Sequence, residues 1–490
     1  MKPWGAVRMN KAKERELFEN CGVTEAIFRL AFPTVIGQII LVIYNMADTF
    51  FVGLTGNDAM IAAVTVCMPA FMFLSAVSNL FGVGGASVIS RAMGSGDTDR
   101  VHATASFSFW GCLFVSLLYG AFTFVFLNPF VDLLGGTDPI VHENAVAYMT
   151  CTVVLGGAVT AMSVLLSHLI RSEGRAVYAS VGIALGGVAN IALDPLFMFV
   201  VLPAGNEALG AAIATTLANL ISLLYFVIVL RRIHGETNLS FRFSTAIIED
   251  RIPAQVLSAG APACIMTLFE NISYAVLDKL MSLSGLAMQA GVGVAKKVNM
   301  LAHCIARGVA QGSLPLIGYS FASKNWDRMR ASVRVSHWVS VGMAAICMAV
   351  NLAFAKPLIG IFIHQSSPSL AYGAAFLRIL CIGGPFSASA YTLISFFQAT
   401  GEGTKSFLLA ILRKGLVDIP LMFLLNGILP IYGIVLATPI ADALCCMVAN
   451  NMFSCYLKNL LGSSERTFRL PTEGGTGYGR YTVAVAHKNS

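Results

Sequence analysis

Charged residues are scarce in this chain. Lysine, arginine, aspartate and glutamate make up 12% of its 490 residues, whereas 56% of the residues are hydrophobic. Soluble domains carry about 25% charged residues, so the composition excludes an ordinary soluble globular protein. The net charge of +7 does not indicate nucleic-acid binding, because the basic residues fall at the ends of apolar segments, where they set membrane topology.

Signatures of enzymes and of cofactor sites are also missing. The sequence contains no GxxxxGK[ST] loop for ATP, no HExxH motif and no zinc-type CxxC pair, and its eleven cysteines are scattered. We therefore expect a protein that is not an enzyme, has no cofactor and draws its energy from an ion gradient. An alternative function, of a different class, is that of a membrane-embedded enzyme such as an acyltransferase or protease. It would need a nucleophile beside a base, but His168, His303 and His337 lie apart in sequence from any such partner.

Apolar runs fill the chain instead. About twelve of them approach 20 residues, the length that crosses a bilayer as a helix. Their predicted limits are 29–53, 59–88, 103–127, 145–170, 177–202, 208–230, 255–281, 287–317, 335–355, 370–397, 406–427 and 433–457. The sequence therefore predicts an all-α polytopic membrane protein. The short loops, and an N-terminus without the apolar core of a signal peptide, favour the plasma (inner) membrane of a prokaryote.

Basic residues predict the orientation. They precede the first run and follow the second, fourth, sixth and eighth runs, whereas the opposite loops are mostly acidic. The positive-inside rule then places both termini in the cytoplasm. We expect a cytoplasmic N-terminal segment over 1–28, a cytoplasmic linker over 231–254 and a disordered cytoplasmic tail over 458–490.

The two halves of the chain resemble each other. Pro33 aligns with Pro262, and at the same offset LTG at 54–56 aligns with LSG at 283–285. Later, LGAAIATTLAN at 209–219 resembles YGIVLATPIAD at 432–442. Six spans in each half predict an N-lobe over 29–230 and a C-lobe over 255–457, related by a pseudo-two-fold axis along the membrane normal. In membrane transporters built from two repeated halves, the substrate site lies between the halves, near the middle of the bilayer.

Two carboxylates lie inside apolar runs of the first half. A charge at that depth costs at least about 2.5–3.5 kcal/mol, so such a residue faces water, a partner or a bound cation. Asp48 lies in the first run, and Asp194 lies in the fifth, one helical turn after Asn190. With Thr215 of the sixth run, these residues offer oxygen atoms that suit Na⁺ or a shared proton. The structural alternatives are an interfacial position for Asp48 and a hydroxyl bond from Thr215 to its own helix.

The second half carries both acidic and basic residues in its runs. Glu270, Lys296, Lys297 and Asp418 are the candidates for a substrate or ion site in the C-lobe. Internal ion pairs among these residues and Arg307, Arg413, Lys414 and Asp442 are the alternative. Glu173 and Glu402 are expected to be ordinary loop acids.

Five motifs, taken in order, resemble the multidrug and toxic compound extrusion (MATE) family. They are P-x14-D-x-x-F-V-G from Pro33 to Gly53, GxGGAS-x3-R-x2-G from Gly82 to Gly94, NxxxDPLF at 190–197, GAAIAT at 210–215 and GAP-x7-E at 260–270. The resemblance spans about residues 25–458. It implies two six-helix lobes around a V-shaped cavity. It also implies a secondary active antiporter, which exports organic and often cationic compounds in exchange for Na⁺ or H⁺ by alternating access.

The resemblance also assigns residues. Asp48, Asn190, Asp194 and Thr215 match the family's cation site in the N-lobe, with Na⁺ expected at Asp48 and Asp194. Glu270 matches an acidic residue that one branch uses in the C-lobe, but QATGEGTK around Glu402 departs from that branch. We expect small organic substrates, a monomer in the lipid bilayer and no nucleic-acid partner. A flippase for lipid-linked oligosaccharides, from the wider superfamily, is the alternative that Lys296, Lys297 and Arg307 keep open.

Overall fold

The computed structural model describes residues 16–203, 205–242, 251–363 and 368–467 of the chain. Helices make up nearly all of this part, and it contains no strand. The N-terminal half contains α1 (Val23–Leu54), α2 (Asp58–Ser95), α3 (Thr98–Val125), α4 (Leu127–Leu134), α5 (Pro139–Met149), α6 (Gly157–Ser172), α7 (Ala176–Leu196) and α8 (Glu207–Arg232). The C-terminal half contains α9 (Ile252–Ser284), α10 (Leu286–Ala322), α11 (Trp326–Gly360), α12 (Pro368–Ile382), α13 (Gly384–Thr400), α14 (Gly403–Ile411), α15 (Asp418–Ile428) and α16 (Tyr432–Thr467).

The predicted membrane spans correspond to these helices. Within the described residues, eight single helices are long and apolar enough to cross a membrane, and two bent helix pairs raise the number to ten. The remaining two predicted spans coincide with α10, which carries several charges, and with α14 and α15, which a π-helical turn joins. The all-α fold with twelve spans is thereby confirmed. Parts of the predicted N-terminal segment (1–15), linker (243–250) and tail (468–490) lie outside the described residues.

The fourth span of each half is bent. In the N-terminal half, Pro139–Leu155 meets Gly157–Ser172 at 49°, and in the C-terminal half Pro368–Ile382 meets Gly384–Thr400 at 42°. A bend at the same place in both halves agrees with the two-lobe architecture. We call α1–α8 the N-lobe and α9–α16 the C-lobe.

Several helices are longer than the sequence predicted. α2 continues to Ser95 instead of ending at 88, and α11 begins at Trp326 instead of 335. Hydropathy detects only the lipid-spanning part of a helix, whereas capping groups determine where the helix ends. Gly96 ends α2 with a φ of 77°, and the Asn325 side chain accepts a hydrogen bond from the Arg328 amide at the start of α11.

Glycines allow the two lobes to approach each other closely. Gly260 of α9 lies against the Leu80 carbonyl of α2, and Gly84 of α2 lies against the Val256 carbonyl of α9. A β-carbon at either glycine would overlap the facing carbonyl oxygen. The α2–α9 contact is therefore a backbone-to-backbone packing that only glycine permits at these two positions.

We expect Gly260→Ala to destabilise the protein. The added methyl group has no space against the Leu80 carbonyl, and overpacking of this kind costs about 1–3 kcal/mol. Gly342→Ala is the matched control, because a β-carbon at Gly342 of α11 meets no atom within 4 Å. Thermal unfolding of the detergent-purified proteins should show a lower midpoint for Gly260→Ala and an equal or higher midpoint for Gly342→Ala. Equal midpoints for Gly260→Ala and wild type would contradict this account of the α2–α9 contact.

Candidate functional site

A cluster of oxygen-bearing side chains lies inside the N-lobe. Asn190 and Asp194 follow one another by one turn on α7, and both are buried. The Asn190 amide donates to Asp194 Oδ1 at 3.1 Å, and it lies 3.4 Å from Thr215 Oγ1 on α8. The structure thus brings together three of the four residues predicted for the N-lobe cation site.

The cluster has unused acceptors. In the part of the chain that the structure describes, Asp194 Oδ2 and Asn190 Oδ1 are buried without a hydrogen-bond partner. A buried carboxylate is costly unless a cation or hydrogen bonds balance it. Carboxylate and amide oxygens are ligands for a hard cation such as Na⁺, and a carboxylate can also take up a proton.

Asp48 approaches the cluster from α1. Its Oδ1 atom is buried and has no hydrogen-bond partner among the residues described, and its carboxylate interacts electrostatically with Asp194. Gly187 of α7 allows the close packing of the two helices, because a β-carbon there would lie 2.9 Å from Ile40 Cγ2 and 3.2 Å from Tyr44 Cδ1. The fourth predicted residue is therefore near the other three, on the neighbouring helix.

Two tyrosines line the same region. The phenol groups of Tyr44 on α1 and Tyr148 on α5 both interact electrostatically with Asp48 and Asp194. Tyr148 could not be identified from the sequence, because an aromatic residue in an apolar run carries no signal of its own. Within the N-lobe, the two acids thus lie beside neutral groups, which are the Asn190 amide and the phenols of Tyr44 and Tyr148.

Acids and bases in the C-lobe are paired. Arg307 Nη2 lies 2.8 Å from Glu270 Oε2, Arg413 Nε lies 2.7 Å from Asp442 Oδ1, and Lys414 Nζ lies 3.1 Å from Asp418 Oδ2. Lys296 likewise forms an ion pair with Asp278. Tyr391 joins two of these pairs, since its hydroxyl lies 3.3 Å from Glu270 Oε1 and its ring lies 4.1 Å from Arg413 Cζ. Glu270, Lys296 and Asp418 therefore form internal ion pairs, which was the alternative to a substrate or ion site in the C-lobe.

Lys297 is placed differently from Lys296. It is half-buried on α10, and its ammonium group interacts electrostatically with Asp48 of the N-lobe. The register of the two helices explains this, because Gly312 and Gly308 of α10 lie against Ala31 and Val35 of α1. Antiparallel continuation of that contact brings Lys297 to the level of Asp48.

The prediction that Glu173 is an ordinary loop acid was wrong. Its carboxylate is fully buried, where it accepts hydrogen bonds from the Thr237 hydroxyl at 2.6 Å and from the Asn238 backbone N–H at 2.7 Å. The segment after α8 folds back over the end of α6, which sequence spacing could not indicate. Glu402, in contrast, is half-exposed beside Lys405, as a loop acid would be.

Known proteins resemble this chain over nearly its whole length. The MatE family model matches residues 33–196 and again residues 262–424. The multidrug export protein MepA of Staphylococcus haemolyticus is 27% identical over 92% of this chain and 97% of its own length. MepA of Staphylococcus aureus strain NCTC 8325 is 25% identical over 90% of this chain and 95% of its own length.

Solved structures agree with the fold. An outward-facing multidrug resistance MATE family transporter of the MOP superfamily superimposes with a TM-score of 0.82 at 23% identity, over 92% of this chain and 99% of that one. The two family matches fall one in each lobe and each includes acidic candidates described above, Asp48 and Asp194 in the first and Glu270 and Asp418 in the second. The chain belongs to the MatE family of membrane transporters.

Proposed function

We propose that this protein is a multidrug exporter, a secondary active antiporter that expels organic and often cationic compounds in exchange for Na⁺ or H⁺. The observation that carries the proposal is the contrast between the lobes. Asp48 and Asp194 form no ion pair with a basic side chain in the described residues, whereas Glu270, Asp278, Asp418 and Asp442 each do. The N-lobe therefore offers buried negative charge that a transported cation can neutralise. The MepA relatives, which are named multidrug export proteins, support the substrate class.

The cation would change the balance between two conformations. With the site empty, two interacting carboxylates share a poorly hydrated region of the helix bundle, which is unfavourable. Binding of Na⁺ or a proton removes that cost and weakens the attraction between Asp48 and Lys297 across the lobes. A ligand shifts an equilibrium only by the difference in its affinity for the two states. We propose that the two states differ in the position of α1 relative to α7 and α10, and that the cation binds one of these positions more tightly.

The orientation follows from charge. We propose that both termini lie in the cytoplasm, as the positive-inside rule predicts. The contacts of Gly84, Gly260, Gly308 and Gly312 between the lobes would then lie toward the cytoplasm, with Asp48 toward the outer face. In this arrangement the cation enters from outside as the substrate leaves.

The flippase alternative is weaker. A pyrophosphate group would need free basic side chains, but Lys296 and Arg307 are engaged by Asp278 and Glu270. Of the three basic residues, Lys297 would remain to bind a pyrophosphate, and its side chain faces the N-lobe. We therefore propose a small-molecule substrate and not a lipid-linked oligosaccharide.

Proteoliposomes loaded with ethidium test the function. We expect ethidium transport when an inward Na⁺ gradient or an inward proton gradient is imposed, and loss of transport when an ionophore for that cation collapses the gradient. Liposomes without protein are the control for passive leak. Transport that persists unchanged after collapse of both gradients would contradict the antiporter assignment.

A further inference from the structure

The C-lobe contains a counterpart of the N-lobe cation site. In the sequence, the same offset separates Asn190 from Lys414 and Asp194 from Asp418, and a proline follows each aspartate within two residues. The repeat that aligns LGAAIATTLAN with YGIVLATPIAD also aligns Thr215 with Thr438. Three residues of the N-lobe site therefore have counterparts at matching positions in the C-lobe.

The contacts repeat as well. In the N-lobe, the Asn190 amide donates to Asp194 one turn later and lies beside Thr215. In the C-lobe, the Lys414 ammonium donates to Asp418 Oδ2 at 3.1 Å, also one turn later. There the Thr438 hydroxyl donates to Asp418 Oδ1 at 3.0 Å. The pairing one turn apart is the same, but the amide of the N-lobe is replaced by a positive charge, and the threonine contacts the aspartate instead of the residue at position 414.

The carboxylates of Asp194 and Asp418 differ in their hydrogen-bond partners. Both Asp194 and Asp418 are fully buried. Asp194 Oδ2 has no partner in the described part of the chain, whereas Asp418 Oδ2 accepts hydrogen bonds from both Lys414 and the Ser273 hydroxyl, the latter at 2.6 Å. Lys414 is itself 1% exposed, so its ammonium group is as enclosed as the carboxylate. Hydrogen bonds to a charged donor are stronger than neutral ones, so the ammonium group of Lys414 is the main partner of this carboxylate.

We propose that the Lys414 ammonium permanently occupies the C-lobe counterpart of the cation site, so that the transporter couples export through the N-lobe alone. A covalently attached cation cannot be exchanged across the membrane, and it holds Asp418 in the same state in every conformation. Lys414 then determines the ion stoichiometry. This inference rests on the proposed function only for the role of the N-lobe site.

Lys414→Asn tests the inference, because asparagine is the residue found at the matching position in the N-lobe. We expect the purified Lys414→Asn protein to bind one more cation per chain than wild type, measured as ²²Na⁺ binding and, without Na⁺, as proton uptake. We also expect its thermal unfolding midpoint to rise with Na⁺ concentration or with falling pH more steeply than that of wild type, because a cation that binds only the folded state stabilises it. Lys414→Asn/Asp418→Asn is the matched control, which lacks both charges and should show neither change.

The outcomes separate the two proposals. Loss of cation binding in Asp194→Asn tests the N-lobe site, and recovery of binding in Asp194→Asn/Lys414→Asn tests the C-lobe counterpart independently. A folded Lys414→Asn protein with wild-type cation binding would overturn the inference. So would a Lys414→Asn protein that stays unfolded at every Na⁺ concentration and pH while the Lys414→Asn/Asp418→Asn control folds.

Discussion

Asp48→Asn and Asp194→Asn should each abolish gradient-driven export while leaving the fold intact. Both substitutions keep the shape of the side chain but remove the charge that a cation neutralises. A transporter that no longer couples substrate to cation cannot maintain a substrate gradient, so we expect the accumulation ratio in proteoliposomes to fall to about 1. Substrate binding to the purified variants should survive, because the substitutions remove the cation and not the cavity. Fluorescence polarisation of ethidium measures that binding.

Asp278→Asn provides the matched control. Asp278 lies near the end of α9, the first helix of its lobe, much as Asp48 lies near the end of α1, but its side chain is 45% exposed and paired with Lys296. We expect near wild-type export from this variant. Wild-type export from Asp194→Asn, or equal losses in Asp278→Asn and Asp48→Asn, would contradict the assignment of the N-lobe site.

Arg413→Met should produce the largest loss of stability. The Arg413 side chain is fully buried, donates to Asp442 and, at 2.8 Å, to the Ser387 hydroxyl. Removing one partner of a buried ion pair leaves the other charge uncompensated, which costs about 3–5 kcal/mol. Thermal or denaturant unfolding in detergent measures the change.

The double variant shows whether the loss arises from the pair. Arg413→Met/Asp442→Asn removes both charges, and we expect it to recover most of the stability that Arg413→Met loses. Lys405→Met is the exposed control, because surface pairs such as Lys405–Glu402 contribute about 0–1 kcal/mol. A double variant less stable than Arg413→Met would show that the two charges do not act as a pair.

Local patterns predicted much of the fold. Runs of apolar residues gave the twelve spans, and the turn residues shared by the two halves gave the lobes. The bends of 49° and 42° in the fourth spans fall at Gly156–Gly157 and Gly383–Gly384. Glycine pairs are a local cause of kinks, but hydropathy alone does not show them because the apolar runs continue through them. The π-helical turn Leu412–Leu416 was not predicted either. The short helix Leu127–Leu134 has too few residues to show a clear period.

The contacts of the candidate site were predictable from the sequence only where they lie within one helix. One helical turn separates Asn190 from Asp194 and Lys414 from Asp418, so spacing alone brings each pair together. The pairing of Glu270 with Arg307, and of Arg413 with Asp442, joins different helices and requires the tertiary structure. Sequence spacing could identify the charged residues of the C-lobe. It could not show that they form ion pairs with one another, whereas Asp48 and Asp194 form none among the described residues.

Cation binding to the purified protein, without substrate, is the most direct test of this contrast between the lobes. We would measure ²²Na⁺ binding and proton uptake for wild type, Asp194→Asn and the doubly neutral Glu270→Gln/Arg307→Gln. The account predicts that wild type and Glu270→Gln/Arg307→Gln bind the cation equally and that Asp194→Asn does not bind it. Binding that persists in Asp194→Asn and disappears in Glu270→Gln/Arg307→Gln would place the driving cation in the C-lobe and contradict the account.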